Sequence, residues 1–136
     1  MARAQIQGPS VTAVQRVAAL RVALRAFEQG TERAARAAGL TPQWYLLLLL
    51  VKGSESGDER ATVGELARRL HLAQSSVTEL VNRVQSAGLV RRTPSTMDAR
   101  VAHIALTPDG EERFAATFSA LAEERRALRD AIEQLD

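Results

Sequence analysis

Gln74, Ser75, Ser76, Thr78, Asn82 and Arg83 crowd hydrogen-bonding side chains into one short stretch of the chain. Such groups suit the edge of a nucleic acid. Amides pair with adenine, guanidinium groups with guanine or phosphate, and hydroxyls with phosphate oxygens or base edges. Val77, Leu80, Val81 and Val84 interleave with them at helical spacing, so the apolar and polar sets take opposite faces of one helix. Glu79 lies on the polar stripe, where it accepts from cytosine or repels wrong sites. Arg91, Arg92 and Arg100 form a second basic group a little further on. Arginine at such positions suits phosphates and narrow minor grooves.

The elements that must hold these residues follow from the flanking pattern. Thr62 and Glu65 have capping-box spacing, and Val63, Leu66, Ala67 and Leu70 then form the inner face of a short helix. His71-Leu72-Ala73 makes a turn. The polar helix covers about 74–87, and Gly88 stops it. Two extended runs, Leu89 to Arg92 and Val101 to Leu106, bracket the polar stretch TPSTMDAR. This order predicts a helix-turn-helix with a β-wing. Its second helix suits a major groove, and its wing, about 91–101, suits the adjacent minor groove.

Longer helices flank this unit. The first is expected from about Pro9 to Ala38, with Pro9 at its first position, Val17, Leu20, Leu24 and Phe27 as a stripe, and a kink or break near Gly30. Thr41-Pro42 opens a second helix whose run WYLLLLLV is apolar nearly all round and so belongs at the centre. GSESGDER reads as a polar, flexible connector. Thr107-Pro108 starts a last helix with Phe114, Leu121, Leu128 and Leu135 in heptad register, and Phe118 and Ile132 in a second row that Arg125 interrupts. The small winged unit cannot cover that stripe. The expected solution is a two-fold homodimer joined through Val17, Leu20, Phe118, Leu121, Leu128 and Ile132. The fold class is therefore mainly α with a small β-wing. Residues 1–40 and 108–136 make a helical dimerisation region, and 41–107 a winged helix-turn-helix, in a single intertwined domain.

Composition narrows the function classes. The chain has 136 residues, 46% of them hydrophobic, which suffices for one packed domain. It has no cysteine, and His71 and His103 lie far apart, so neither a disulfide framework nor a metal site is expected. No cofactor is expected either. The longest near-apolar run, Trp44 to Val51, is too short to span a bilayer, and the start MARAQIQGPS lacks an apolar signal core. A cytoplasmic protein without membrane contact is the expectation. The net charge is only +2, but residues 108–136 are acidic on balance while residues 1–60 and 61–107 are basic. A single lysine among 17 arginines points to compositional bias, so arginine position carries more weight than arginine number. No nucleophile triad, phosphate loop or paired-carboxylate arrangement stands out, so no enzyme is expected.

The segments LTPQWYLLLLL, TVGELARRLHLAQSSVTELVNRVQSAGLV, the wing Asp98-Ala99-Arg100 and IALTPDGEE, in this order, closely resemble the multiple-antibiotic-resistance regulator (MarR) family. The resemblance covers about residues 10–136. It implies a dimeric DNA-binding transcription factor, usually a repressor, often released from a pseudo-palindromic operator by a small aromatic or phenolic ligand. It also implies that the terminal helices dimerise, that Arg100 reaches the minor groove, and that Asp98 helps hold a basic side chain. Many relatives have a second basic residue where this chain has Ala99. Relatives place an effector pocket near Trp44 and Tyr45, and Arg21 and Arg25 are further candidates for an anionic effector. The alternative reading is a winged-helix protein-interaction module without direct DNA binding.

Overall fold

The computed structural model describes residues 7–95 and 100–135. The first helix, α1 (Val11–Ala37), starts two residues later than its proline suggests. The Ser10 hydroxyl accepts the Ala13 amide at 3.1 Å and makes Ser10 the cap, leaving Pro9 outside. The expected break at Gly30 is absent, and α1 runs through it. Gly30 is buried, and the Glu124 side chain lies where its Cβ would project. A packing contact, not a turn, accounts for this glycine.

The next helix, α2 (Pro42–Lys52), is capped by Thr41, whose hydroxyl accepts the Trp44 amide at 3.0 Å. Tyr45, Leu47, Leu48 and Val51 are buried in it, as the apolar run requires. Leu46 is the exception and faces outward.

The GSESGDER connector is more ordered than its composition suggests. Ser54 is buried, and the Ser54 and Ser56 hydroxyls both donate to Asp58 Oδ1. Lys52 bridges Glu59 at 3.0 Å and Glu111 at 2.9 Å. The Ser56 hydroxyl, with help from the Arg60 amide and Ser54, lowers the Asp58 carboxyl from 3.8 to about 2. A depressed carboxyl adds stability above its unfolded value and loses it as pH falls through the folded one. Asp58→Asn should therefore lower the melting temperature slightly at pH 7. The gap from the wild type should shrink between pH 3.8 and about 2 in thermal melts.

The helix-turn-helix follows as α3 (Val63–Leu70) and α4 (Gln74–Ser86). Thr62 caps α3 through the Glu65 amide at 3.1 Å, while the Glu65 carboxylate turns to Arg69 Nη1 at 3.4 Å. Only half of a capping box forms. His71, at φ 56°, closes α3 in the left-handed region. The antiparallel strands β1 (Val90–Pro94) and β2 (Ala102–Leu106) pair with Arg92 opposite Ile104. Ala61 adds a bridge on the other side of β2, exchanging both backbone hydrogen bonds with Ile104.

The last helical segment is divided into α5 (Pro108–Ala120) and α6 (Ala122–Glu133), hinged at Leu121. Thr107 caps α5 through the Gly110 amide at 3.1 Å. The unbroken heptad helix of the expectation is thus corrected. Leu121 is 1% exposed and belongs to the subunit's own core, so it cannot serve a partner. α6 packs along α1, and Phe114 stacks on Tyr45 with ring centroids 5.8 Å apart. Leu47, Leu48, Leu66, Val77, Val81, Val84, Leu89 and Ile104 complete one core running from the terminal helices into the winged unit.

Candidate nucleic-acid interface

The two faces of α4 separate as their residue types require. Val77, Leu80, Val81 and Val84 are buried, whereas Gln74, Ser75, Ser76, Thr78, Glu79, Asn82 and Arg83 are exposed. The inner set fixes the rotation of the helix against the core. That rotation sends the hydrogen-bonding set outward. Ala73, at the N-cap, has no side chain with which to cap the helix, so the first-turn amides of α4 suit an anion such as a phosphate.

β1 continues the surface. Arg91 is exposed and pairs across the sheet with Ala105. Arg92 is half-buried and turns to α4, where its Nη2 donates to Asn82 Oδ1 at 2.7 Å and its Nη1 donates to Gln85 Oε1. Asn82 and Arg92, separate candidates in the sequence, are in contact. Gln85 was missed. Its only sequence signal is that it follows Asn82 by three residues, which places both on one edge of the helix. Arg100 is exposed two residues before β2, and Asp98 lies outside the described residues.

Other arginines of the winged unit are engaged by carboxylates. Arg68 Nη2 donates to Glu55, and Arg69 pairs with Glu65. The bond from Arg68 holds the Glu55 carboxyl below its usual value and, reciprocally, raises Arg68. The Arg68–Glu55 pair braces α3 against the connector, whereas Arg69–Glu65 lies within α3.

The candidate effector residues are divided by the fold. Tyr45 lines an apolar cavity of about 520 Å³ together with Leu24, Phe27, Leu46, Phe118 and Arg125. Burial pushes the Tyr45 hydroxyl up, and the nearby Arg125 charge partly offsets this. Arg125 lies 3.9 Å over the Phe118 ring and donates to the Phe118 carbonyl at 2.5 Å. Trp44 is outside this cavity's lining, and Arg21 and Arg25 line a separate, open concavity along α1. Among the candidate dimerisation residues, Val17, Ile132 and Phe118 are exposed, while Leu20 and Leu128 are half-buried.

Among the described residues, no cluster of histidine and carboxylate groups is arranged to hold a metal ion, and no helix is long and apolar enough to cross a membrane.

A helix with an exposed polar face, beside a two-stranded wing and framed by long helices, is an arrangement found in known proteins. Residues 38–101 match the model of the MarR family. This stretch, just under half of the chain, is similar to the MarR family. The family is one of transcription regulators, not of enzymes. Two curated proteins of Bacillus subtilis (strain 168) are similar in sequence. The uncharacterised HTH-type transcriptional regulator YsmB is 44% identical over 57 residues, covering 42% of this chain and 38% of that protein. The HTH-type transcriptional repressor MdtR is 33% identical over 76 residues, covering 56% of this chain and 46% of that protein. The aligned stretches thus span less than half the length of either relative.

Solved structures carry the likeness over the flanking helices too. The MarR-family transcription regulator SP03579 has a TM-score of 0.66 at 26% identity, covering 90% of this chain and 77% of that one. A mutant MarR of E. coli, complexed with operator DNA, has a TM-score of 0.64 at 15% identity, covering 94% and 89%. The second likeness is one of fold. The matched stretch and the helices around it therefore share one fold with these structures.

Proposed function

We propose that this chain is a homodimeric, sequence-specific DNA-binding transcription regulator, acting in the cytoplasm as a repressor. The observation that carries this reading is the exposed face of α4. Its hydrogen-bonding side chains stand clear of the core beside a basic wing strand, in a fold that an operator-bound protein shares. α4 enters the major groove and offers Gln74, Ser75, Ser76, Thr78, Asn82 and Arg83. The wing follows into the minor groove with Arg91, Arg92 and Arg100, Asp98 helping to hold a basic side chain. Residues 1–40 and 108–136 join two copies, so that the two α4 helices lie about 34 Å apart, one helical turn of DNA. That spacing matches a pseudo-palindromic operator.

The cavity between α1, α2 and the C-terminal helices suits a small aromatic or phenolic effector. Its walls are apolar, with the Tyr45 hydroxyl and the Arg125 guanidinium as polar groups. It lies between the terminal helices proposed to join the two copies and α2, which packs on α3 of the winged unit. A ligand preferring another spacing lowers operator affinity by its differential affinity for the two arrangements.

A mobility-shift assay with the purified chain and the promoter region of its own operon tests the reading. A salt-sensitive shift is expected. No shift with any promoter fragment at low salt would favour a protein-interaction module. Within the DNA-binding reading, Arg100→Ala should reduce the salt slope of binding by about one unit. An unchanged salt titration of that variant removes Arg100 from the interface.

A further inference from the structure

Arg92 is held in an unusual way for a surface arginine. Among the described residues, both of its acceptors, Asn82 Oδ1 and Gln85 Oε1, belong to neutral amides. Arg68, Arg69 and Arg113 instead pair with Glu55, Glu65 and Asp109. A carboxylate fixes a guanidinium and cancels its charge. An amide fixes the group and leaves the charge intact, and the guanidinium has more donors than these two acceptors use. The fork is thus preorganised with its charge and remaining donors still on offer, which reduces the ordering cost of a further contact.

Its position gives that charge a use. Thr78, Asn82 and Gln85 follow one another at helical spacing along one edge of the exposed face of α4. Arg92 reaches this edge from β1 and stands between the recognition helix and the wing. A duplex held by both elements has to pass its backbone through that junction. The contact also bears on Asn82. A bidentate pairing with adenine uses both the oxygen and the nitrogen of the amide. Asn82 makes it only by sharing or surrendering the oxygen that Arg92 occupies.

We propose that Arg92 is a phosphate-contacting residue of the DNA interface, that Asn82 and Gln85 are its positioning residues, and that Asn82 acts through Arg92 and reads no base itself. The proposal rests on the DNA-binding reading above. It adds Gln85 to the interface, moves Arg92 from the minor groove to the DNA backbone, and changes Asn82 from a base contact to a positioning residue.

Fluorescence-anisotropy salt titrations of the full chain provide the test, using one promoter duplex that it shifts and a scrambled duplex of equal length. Arg92→Ala should weaken binding about tenfold on both duplexes and reduce the salt slope by about one unit. Asn82→Ala and Gln85→Ala should each weaken both duplexes by a smaller, similar factor. Either change should add little once Arg92 is alanine. Gln85→Glu is the discriminating variant. It keeps an acceptor for the fork but cancels its charge, so it should retain the melting temperature and still lose affinity and salt slope. The proposal is overturned if the Asn82→Ala loss is confined to the promoter duplex, if it persists in full beside Arg92→Ala, or if Gln85→Glu binds like the wild type. A wild-type chain that binds neither duplex at low salt overturns the DNA-binding reading itself, and this one with it.

Discussion

Gly110→Ala should be among the most destabilising single-methyl additions in this protein, costing about 3 kcal/mol or more. Gly110 is buried in the first turn of α5, packed against the chain between α4 and β1. A Cβ there would fall inside the van der Waals contact of the Leu89 carbonyl oxygen and 3.0 Å from the carbonyl carbon. Neither atom is free to move. The same oxygen accepts the Thr107 amide at 3.0 Å, and the Thr107 hydroxyl donates to the Gly88 carbonyl at 2.6 Å. Relief of the clash therefore requires α5 to lift from the end of α4. Gly30→Ala is the matched control. Its Cβ would meet only the Glu124 side chain, at 3.0 Å, which has rotamers to yield with. Alanine is also the better helix former by about 1 kcal/mol. Denaturant melts should show a large loss for Gly110→Ala and a change within about 1 kcal/mol for Gly30→Ala. Equal stability of the two variants would mean that the junction is not closely packed.

These two glycines also mark how far the sequence can be read. Periodicity reports which face of a helix is apolar, and in α4 that was enough to separate Val77, Leu80, Val81 and Val84 from the exposed residues between them. Threonine caps were legible for a similar reason, since a hydroxyl bonding an amide three residues on is a local event. Thr41, Thr62 and Thr107 all do so. Gly30 misled because a mid-helix glycine looks the same whether the chain breaks or another helix needs the space. Here Glu124, far along the chain, decides. Leu121 misled in the same way. Its heptad position is real, but the division between α5 and α6 turns it into the subunit's own core.

Long-range contacts account for most of the remainder. Nothing local marks Ala61 as a partner of Ile104, because a single bridge has no period. The contact of Arg92 with Asn82 and Gln85 joins a strand to a helix across the stop at Gly88. The sequence named the chemistry of two of these residues but not their mutual contact, and the contact alters what Asn82 can do. Similarly, Trp44 and Tyr45 are neighbours in sequence, yet only Tyr45 reaches the apolar cavity. Adjacent positions on a helix point about 100° apart.

Joint replacement of Val17 and Ile132 by aspartate should have the largest effect on operator affinity. In the subunit these side chains are 52% and 51% exposed, so neither is needed for its core. Val11, Val14 and Val22 extend exposed apolar surface along α1, and Phe118 does so on α5. A second copy would remove this surface from water, at about 25 cal/mol for each Å² covered. An unpaired carboxylate placed inside that contact loses its hydration without gaining a partner, a cost of several kcal/mol. The variant subunits should therefore fold and stay apart, seen as an unchanged helical circular-dichroism signal and a halved mass in light scattering. Once apart, they bind half-sites independently and lose the effective concentration that linkage supplies, so affinity for the full operator should fall by about a hundredfold or more. Binding to an isolated half-site should hardly change, because α4 and the wing are untouched. Two results would count against this account. If the variant remains a dimer, the exposed surface of α1 and the C-terminal helices is not what joins the copies. If it becomes a monomer yet keeps full affinity, the paired-helix geometry is not the source of operator recognition.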